Sequence, residues 1–174
     1  MHRLANHSFL LAFLVAVMAP AAHAGPVTLA QLREAAAAQG ADALAMGEKD
    51  GQPLLSGDML SQRFEVTLMA CSGPEPACGI VRYQACRDLP DHSRIEALEI
   101  ANAWNQEDRK AVLTAEEEWF GQALCVRLLQ DVRNETFGPR QLSDWQIELE
   151  DFLQAVDTAL ADMQAANMLD RGAQ

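Results

Sequence analysis

Apolar and polar residues alternate along one stretch of this chain, broken only at its end by Met69: Phe64, Val66, Leu68 and Ala70 are interleaved with Arg63, Glu65, Thr67 and Met69. A period of two marks a strand with one buried face. The loop Ser72-Gly73-Pro74-Glu75-Pro76-Ala77 ends it. A run over 78–86 then returns with Val81, Tyr83 and Ala85 on one side. Setting Cys71 opposite Cys78 pairs Met69 with Ile80, Leu68 with Val81 and Val66 with Tyr83, which brings the apolar sets to a common face. The register that suits the faces also suits the cysteines.

Helical spacing frames this hairpin. Thr28 and Gln31 form a capping box ahead of Leu29, Leu32 and Ala36, with Gly40 as a stop, so a helix is predicted over 29–39. Ser93 and Glu96 repeat the box ahead of Ile95, Leu98, Ala101 and Trp104, giving a helix that ends at Asn105. Ser143 and Gln146 cap a long last helix. Its stripe is Trp145, Leu149, Phe152, Val156, Leu160 and Met163, opposite Glu148, Asp151 and Asp162.

Between the helices lie shorter β signals. Residues 43–48 and 52–55 flank the turn pair Asp50-Gly51, with Pro53 marking an edge strand. Residues 111–113 and 119–130 flank the acidic turn Glu116-Glu117-Glu118, with Phe120, Leu124, Val126 and Leu128 inward. The order helix, strands, helix, hairpin, helix predicts an α+β fold: an antiparallel sheet of about five strands with helices packed on one face. A single domain spans 25–166, and 167–174 form a flexible tail.

The amino-terminal residues read differently. His2 and Arg3 precede an apolar run over 9–19, and Ala22-His23-Ala24 closes it with the small-x-small pattern of a signal-peptidase site. Cleavage between Ala24 and Gly25 is expected, from a Sec-type leader too short to span a bilayer. The product of 150 residues is long enough for one core, has no membrane span, and belongs in the periplasm or outside the cell.

Charge and cysteines narrow the chemistry. Of 13 basic residues only Arg3 leaves with the leader, so 12 face 25 acidic ones and the mature charge is −13. Nucleic acid is a poor partner for such a surface. Only His92 survives cleavage, which excludes a multi-histidine metal site. Cys71, Cys78, Cys86 and Cys125 have no C-x-x-C spacing, so an oxidising compartment favours structural bridges. Cys71 with Cys78 would pin the hairpin loop. Cys86 and Cys125 share the same sheet face by parity.

The three tryptophans, Trp104, Trp119 and Trp145, stand at element ends, where a ring buries its body and keeps its N–H wet. Asn105 suits a left-handed helix stop, and Asn102 a bond from its amide to a neighbouring loop. His92, beside Asp91 and ahead of a capping serine, reads as a solvated loop residue. The glutamate run reads as a solvated charge cluster.

Several of these motifs resemble the YbjN-type family of bacterial domains, whose fold is similar to that of type III secretion chaperones. The matching residues are Asp50-Gly51, then Leu55-Ser56-Gly57-Asp58 before the alternating strand, and Cys71 with Cys78 around a short loop. Most specific is Ala101-Asn102-Ala103-Trp104-Asn105 followed by Gln106-Glu107, which looks like the family's helix-ending Ile-Asn-x-Trp-Asn pattern. In the chaperone-like sheet the strands bearing Cys86 and Cys125 would be neighbours, so the resemblance implies a second bridge. It further implies a non-enzymatic, regulatory or chaperone-like module that binds a protein partner or a second copy, with no catalytic residues and no cofactor. An exposed second sheet face carrying Met69, Ile80 and Leu129 is the expected contact surface. Two other classes compete: a small secreted enzyme using paired carboxylates, and a thiol-reactive stress sensor.

Overall fold

The computed structural model describes residues 23–73, 76–89, 92–118, 121–134 and 136–172. Along the chain lie β1 (His23–Ala24), α1 (Leu29–Ala38), β2 (Asp42–Lys49), β3 (Gln52–Met59), β4 (Gln62–Ser72), β5 (Ala77–Leu89), α2 (Arg94–Asn105), β6 (Val112–Glu118), β7 (Gly121–Asp131), β8 (Thr136–Phe137) and α3 (Pro139–Gly172). Six strands form one antiparallel sheet in the order β2-β3-β4-β5-β7-β6, and β1 pairs with β8 in a separate ribbon. The fold is α+β, as the pattern predicts, with six strands in the main sheet in place of about five.

All three helices pack on one face. Leu32 and Ala36 of α1, Ala97, Ile100 and Trp104 of α2, and Leu142, Trp145, Leu149, Phe152 and Val156 of α3 meet Leu55, Phe64, Val66, Leu68, Val81, Tyr83, Leu113, Leu124 and Val126 of the sheet. Burying each large apolar side chain contributes about 1.5–3 kcal/mol. The β4–β5 register is the one anticipated: Val66 opposes Tyr83, Leu68 opposes Val81, Met69 opposes Ile80 and Cys71 opposes Cys78. Both capping boxes form, Thr28 with Gln31 and Ser93 with Glu96.

Three elements depart from expectation. β3 runs on to Met59 through Ser56-Gly57-Asp58, past the expected end at Leu55. Gly57 is required there because a Cβ would fall 2.6 Å from Leu44 Cδ2 and 2.8 Å from the Asp42 carbonyl oxygen, where the β2–β3 register shifts between Asp42 and Ala45. The true turn is Leu60-Ser61, both at positive φ. Pro53 lies on an interior strand, not an edge; β3 pairs with β4 only from Leu54 onward, so its missing N–H breaks no bond there.

Glu116, Glu117 and Glu118 are strand, paired with Ala123, Gln122 and Gly121. The side chains of Glu116 and Glu117 point to opposite faces, so these two carboxylates are kept apart. The turn itself, with Trp119 and Phe120, lies outside the described residues. α3 starts at Pro139, four residues before Ser143, because proline is pre-set for a first helical position and Gln141 Oε1 accepts from the Gly138 N–H at 3.0 Å. It continues to Gly172, so the segment expected as a flexible tail is helical to that point.

Candidate functional site

Strand alternation sorts the sheet into two surfaces. The face away from the helices carries Ser56 and Asp58 of β3, Arg63, Glu65, Thr67 and Met69 of β4, Ile80, Arg82 and Gln84 of β5, Thr114 and Glu116 of β6, and Arg127 and Leu129 of β7. No described element covers it. Polar contacts run across it: Lys49 Nζ meets Glu65 Oε2 at 2.7 Å, and Arg82 donates to Thr67 Oγ1 at 3.3 Å. Arg127 donates to Gln84 Oε1 at 3.2 Å and also pairs with Glu116. Surface ion pairs of this kind stabilise little, about 0–1 kcal/mol; they hold long side chains flat and set a charge pattern. Met69 and Ile80 are half-buried opposite each other. Leu129 is 62% exposed and Val112 55%.

Two disulfides staple this layer. Cys71 bonds Cys78, and Cys86 bonds Cys125, each pair directly opposed on neighbouring strands with Cα atoms 3.9 and 4.1 Å apart. No cysteine remains a free thiol. An oxidising environment outside the cytosol suits such bridges. No helix among the described residues is long and apolar enough to cross a membrane.

The motif residues of α2 act locally. Trp104 is buried, its indole N–H donating to the Ala111 carbonyl at 3.0 Å. The Arg109 guanidinium lies 3.9 Å over its ring. Asn105 is not a left-handed stop; it ends α2 in helical geometry, and its side chain mimics a strand. Its Nδ2 donates to the Leu113 carbonyl at 2.7 Å and its Oδ1 accepts from the Leu113 N–H at 2.9 Å. Asn102 is exposed, and its amide bonds no neighbouring loop among the described residues. Of the tryptophans, neither Trp104 nor Trp145 keeps a wet N–H. Trp145 is fully buried, stacks on Tyr83 at 5.5 Å, and its Nε1 lacks a partner. Burial, and secondarily the charge of Asp144, push the Tyr83 hydroxyl far above the usual tyrosine range.

A second feature lies where β6 begins. Helical spacing puts Glu148 opposite the apolar stripe of α3, yet it is buried, with Oε1 accepting the Lys110 backbone N–H at 3.3 Å. Asp144, one turn earlier, takes the Lys110 ammonium at 3.1 Å. These two carboxylates pull the chain off β7 before Val112. Beside the gap is a cleft of about 990 Å³ lined by Lys110, Leu129, Gln130, Asp131, Arg140 and Gln141, among others. The period-3.6 reading of α3 hid it, because helix spacing does not report which polar position meets an incoming loop.

The remaining candidates are dispersed. His92 precedes α2 with its N–H donating to the Leu89 carbonyl at 3.2 Å and its Nδ1 buried without a partner; Asp91 lies outside the described residues. Glu117 meets Arg94 at 3.3 Å. Among the described residues no three His, Cys, Asp or Glu side chains converge to hold a metal ion. Of the predicted cleavage pair, Ala24 ends β1 and Gly25 follows at a φ of 113°; the leader up to residue 22 lies outside the described residues. No known protein-family pattern and no curated protein sequence matches this chain.

Proposed function

We propose that this chain is an exported, non-catalytic module of the YbjN type, which acts by binding a protein partner of the cell envelope, or a second copy, through the uncovered face of its sheet. One observation carries the reading: three helices share one face of a six-stranded sheet, leaving the opposite face open with Met69, Ile80 and Leu129 among fixed charges. A sheet needs only one buried face to be stable, so the second is free for recognition. The leader-like residues 1–24 and the two bridges support export to the periplasm or beyond. Rigidity supports the same role, since a surface pinned by cross-strand bonds loses little conformational freedom on contact.

Photo-crosslinking in cells tests it. A benzoylphenylalanine at Met69 should give a discrete protein adduct in the exported fraction, whereas the same probe at Ile95, exposed on α2, should not. Adducts only from Ile95, or none from either with a strict monomer by light scattering, overturn the proposal. Amino-terminal sequencing of the exported form should begin at Gly25.

A further inference from the structure

Sheet edges are hazards that proteins blunt. The edge strand β2 is distorted, with Ala43 at positive φ and a register shift; the edge strand β6 ends in three glutamates. Neither device protects the last residues of β7. β6 pairs with β7 only from Val112 opposite Arg127, whereas β5 pairs with β7 as far as Asp131. The Val132 N–H donates toward β5, to the Gly79 carbonyl at 2.8 Å. By alternation the N–H and C=O of Leu129 and Asp131 face the other way, where no described strand lies. In a continued ladder Lys110 would sit opposite Leu129, but its N–H is engaged by Glu148.

We infer that this notch is a docking site for an extended peptide segment of a protein partner, added as a short strand beside Leu129–Asp131 in line with β6, with a carboxylate side chain on it meeting Arg140. The inference deepens the partner-binding reading and rests on it. Three observations select that occupant. Unpaired backbone groups of a strand recognise extended backbone by the same hydrogen bonds that build a sheet. Gln130 lines the cleft with its Nε2 donating to the Gln141 carbonyl at 3.3 Å, which fixes the wall beside which the added strand would lie. Arg140 lines the cleft with no ion pair among the described residues, whereas Lys110 is held by Asp144.

The test uses the full oxidised chain and a labelled peptide, Thr-Val-Thr-Val-Asp-Thr, against a copy N-methylated at alternate residues and a copy with lysine for aspartate. Saturable binding is expected, with the largest amide NMR shifts at Leu129 and Asp131. The methylated copy should bind about tenfold more weakly. Arg140→Glu should weaken the aspartate peptide and strengthen the lysine one, a reversal that simple unfolding cannot produce. Met69→Lys, on β4 and away from β7, should leave peptide binding intact, so the notch and the open face fail separately. No shift at Leu129 and Asp131 at about 1 mM peptide, equal binding of the methylated copy, or concentration-dependent shifts there without peptide, which would put a second copy in the notch, each overturns the inference.

Discussion

Replacing either pair of bridged cysteines by alanine separates loop entropy from packing. Each bridge has one fully buried sulfur, that of Cys78 or Cys125, so the packing lost on truncation is similar in the two double variants. What differs is the loop each bridge closes: the sequence separations are 7 for Cys71–Cys78 and 39 for Cys86–Cys125. Constraining the unfolded chain is worth about 2.4 kcal/mol for the short loop and about 3.9 for the long one by the chain-entropy relation. The expected gap is therefore about 1.5 kcal/mol. On β5, Cys78 and Cys86 stand about 26 Å apart along the strand, so removing all four sulfurs should cost close to the sum, about 6 kcal/mol. That is a large share of a typical domain's stability. Urea unfolding followed by tryptophan fluorescence reads both values, and the two midpoints should differ by about 1 M. Equal costs, or a larger cost for removing the short bridge, would refute the reasoning.

Three further outcomes follow from single groups. Asn105→Ala removes both bonds to Leu113 and should cost about 1–3 kcal/mol, with faster hydrogen exchange at the Leu113 amide as the local readout. Tyr83 is the one tyrosine in the chain, so absorbance at 295 nm reports it alone: burial raises its pKa, and the folded protein should show no tyrosinate at pH 10. Because the unfolded tyrosine ionises first, stability should fall as pH rises past that point; Tyr83→Phe, which deletes a buried hydroxyl without a partner, should be neutral or stabilising. Asp131 is held at about 2 by hydrogen bonds from the Arg133 side chain and backbone N–H, against an ordinary 3.8. A depressed carboxylate stabilises above its unfolded pKa, and that contribution drains away as pH falls from 3.8 to about 2. Asp131→Asn should therefore flatten the urea midpoint across that window.

Local rules carried the central hairpin and two helix starts. Alternation in 63–70 and the placement of cysteines left one register, and capping boxes marked the entries of α1 and α2, because each signal lies within a few residues of its partner. What escaped depends on distant contacts. Gly57 lies past the expected strand end at Leu55, and nothing nearby in the sequence announces that Leu44 of β2 presses against it. Glu148 reads as solvated until the chain before β6 presents an N–H to it, so the notch had no sequence signature. Asn105 looks like a helix stop because the residue type is common there; its bonds to Leu113 span a loop whose path no periodicity gives. The uncovered face was legible in part: Met69, Ile80 and Leu129 fall on it by parity alone.

The small ribbon of β1 and β8 bears on the order of events in the export proposed above. His23 pairs with Phe137 and Ala24 with Thr136, so the bond between Ala24 and Gly25 adjoins a closed ladder once the carboxy-terminal half has arrived. A peptidase grips its target as a free, extended thread. On the export route proposed above, cutting there would therefore come first, while the rest of the chain is still emerging; a precursor that finished folding would shield that bond, and a processed chain would keep β8 without its companion.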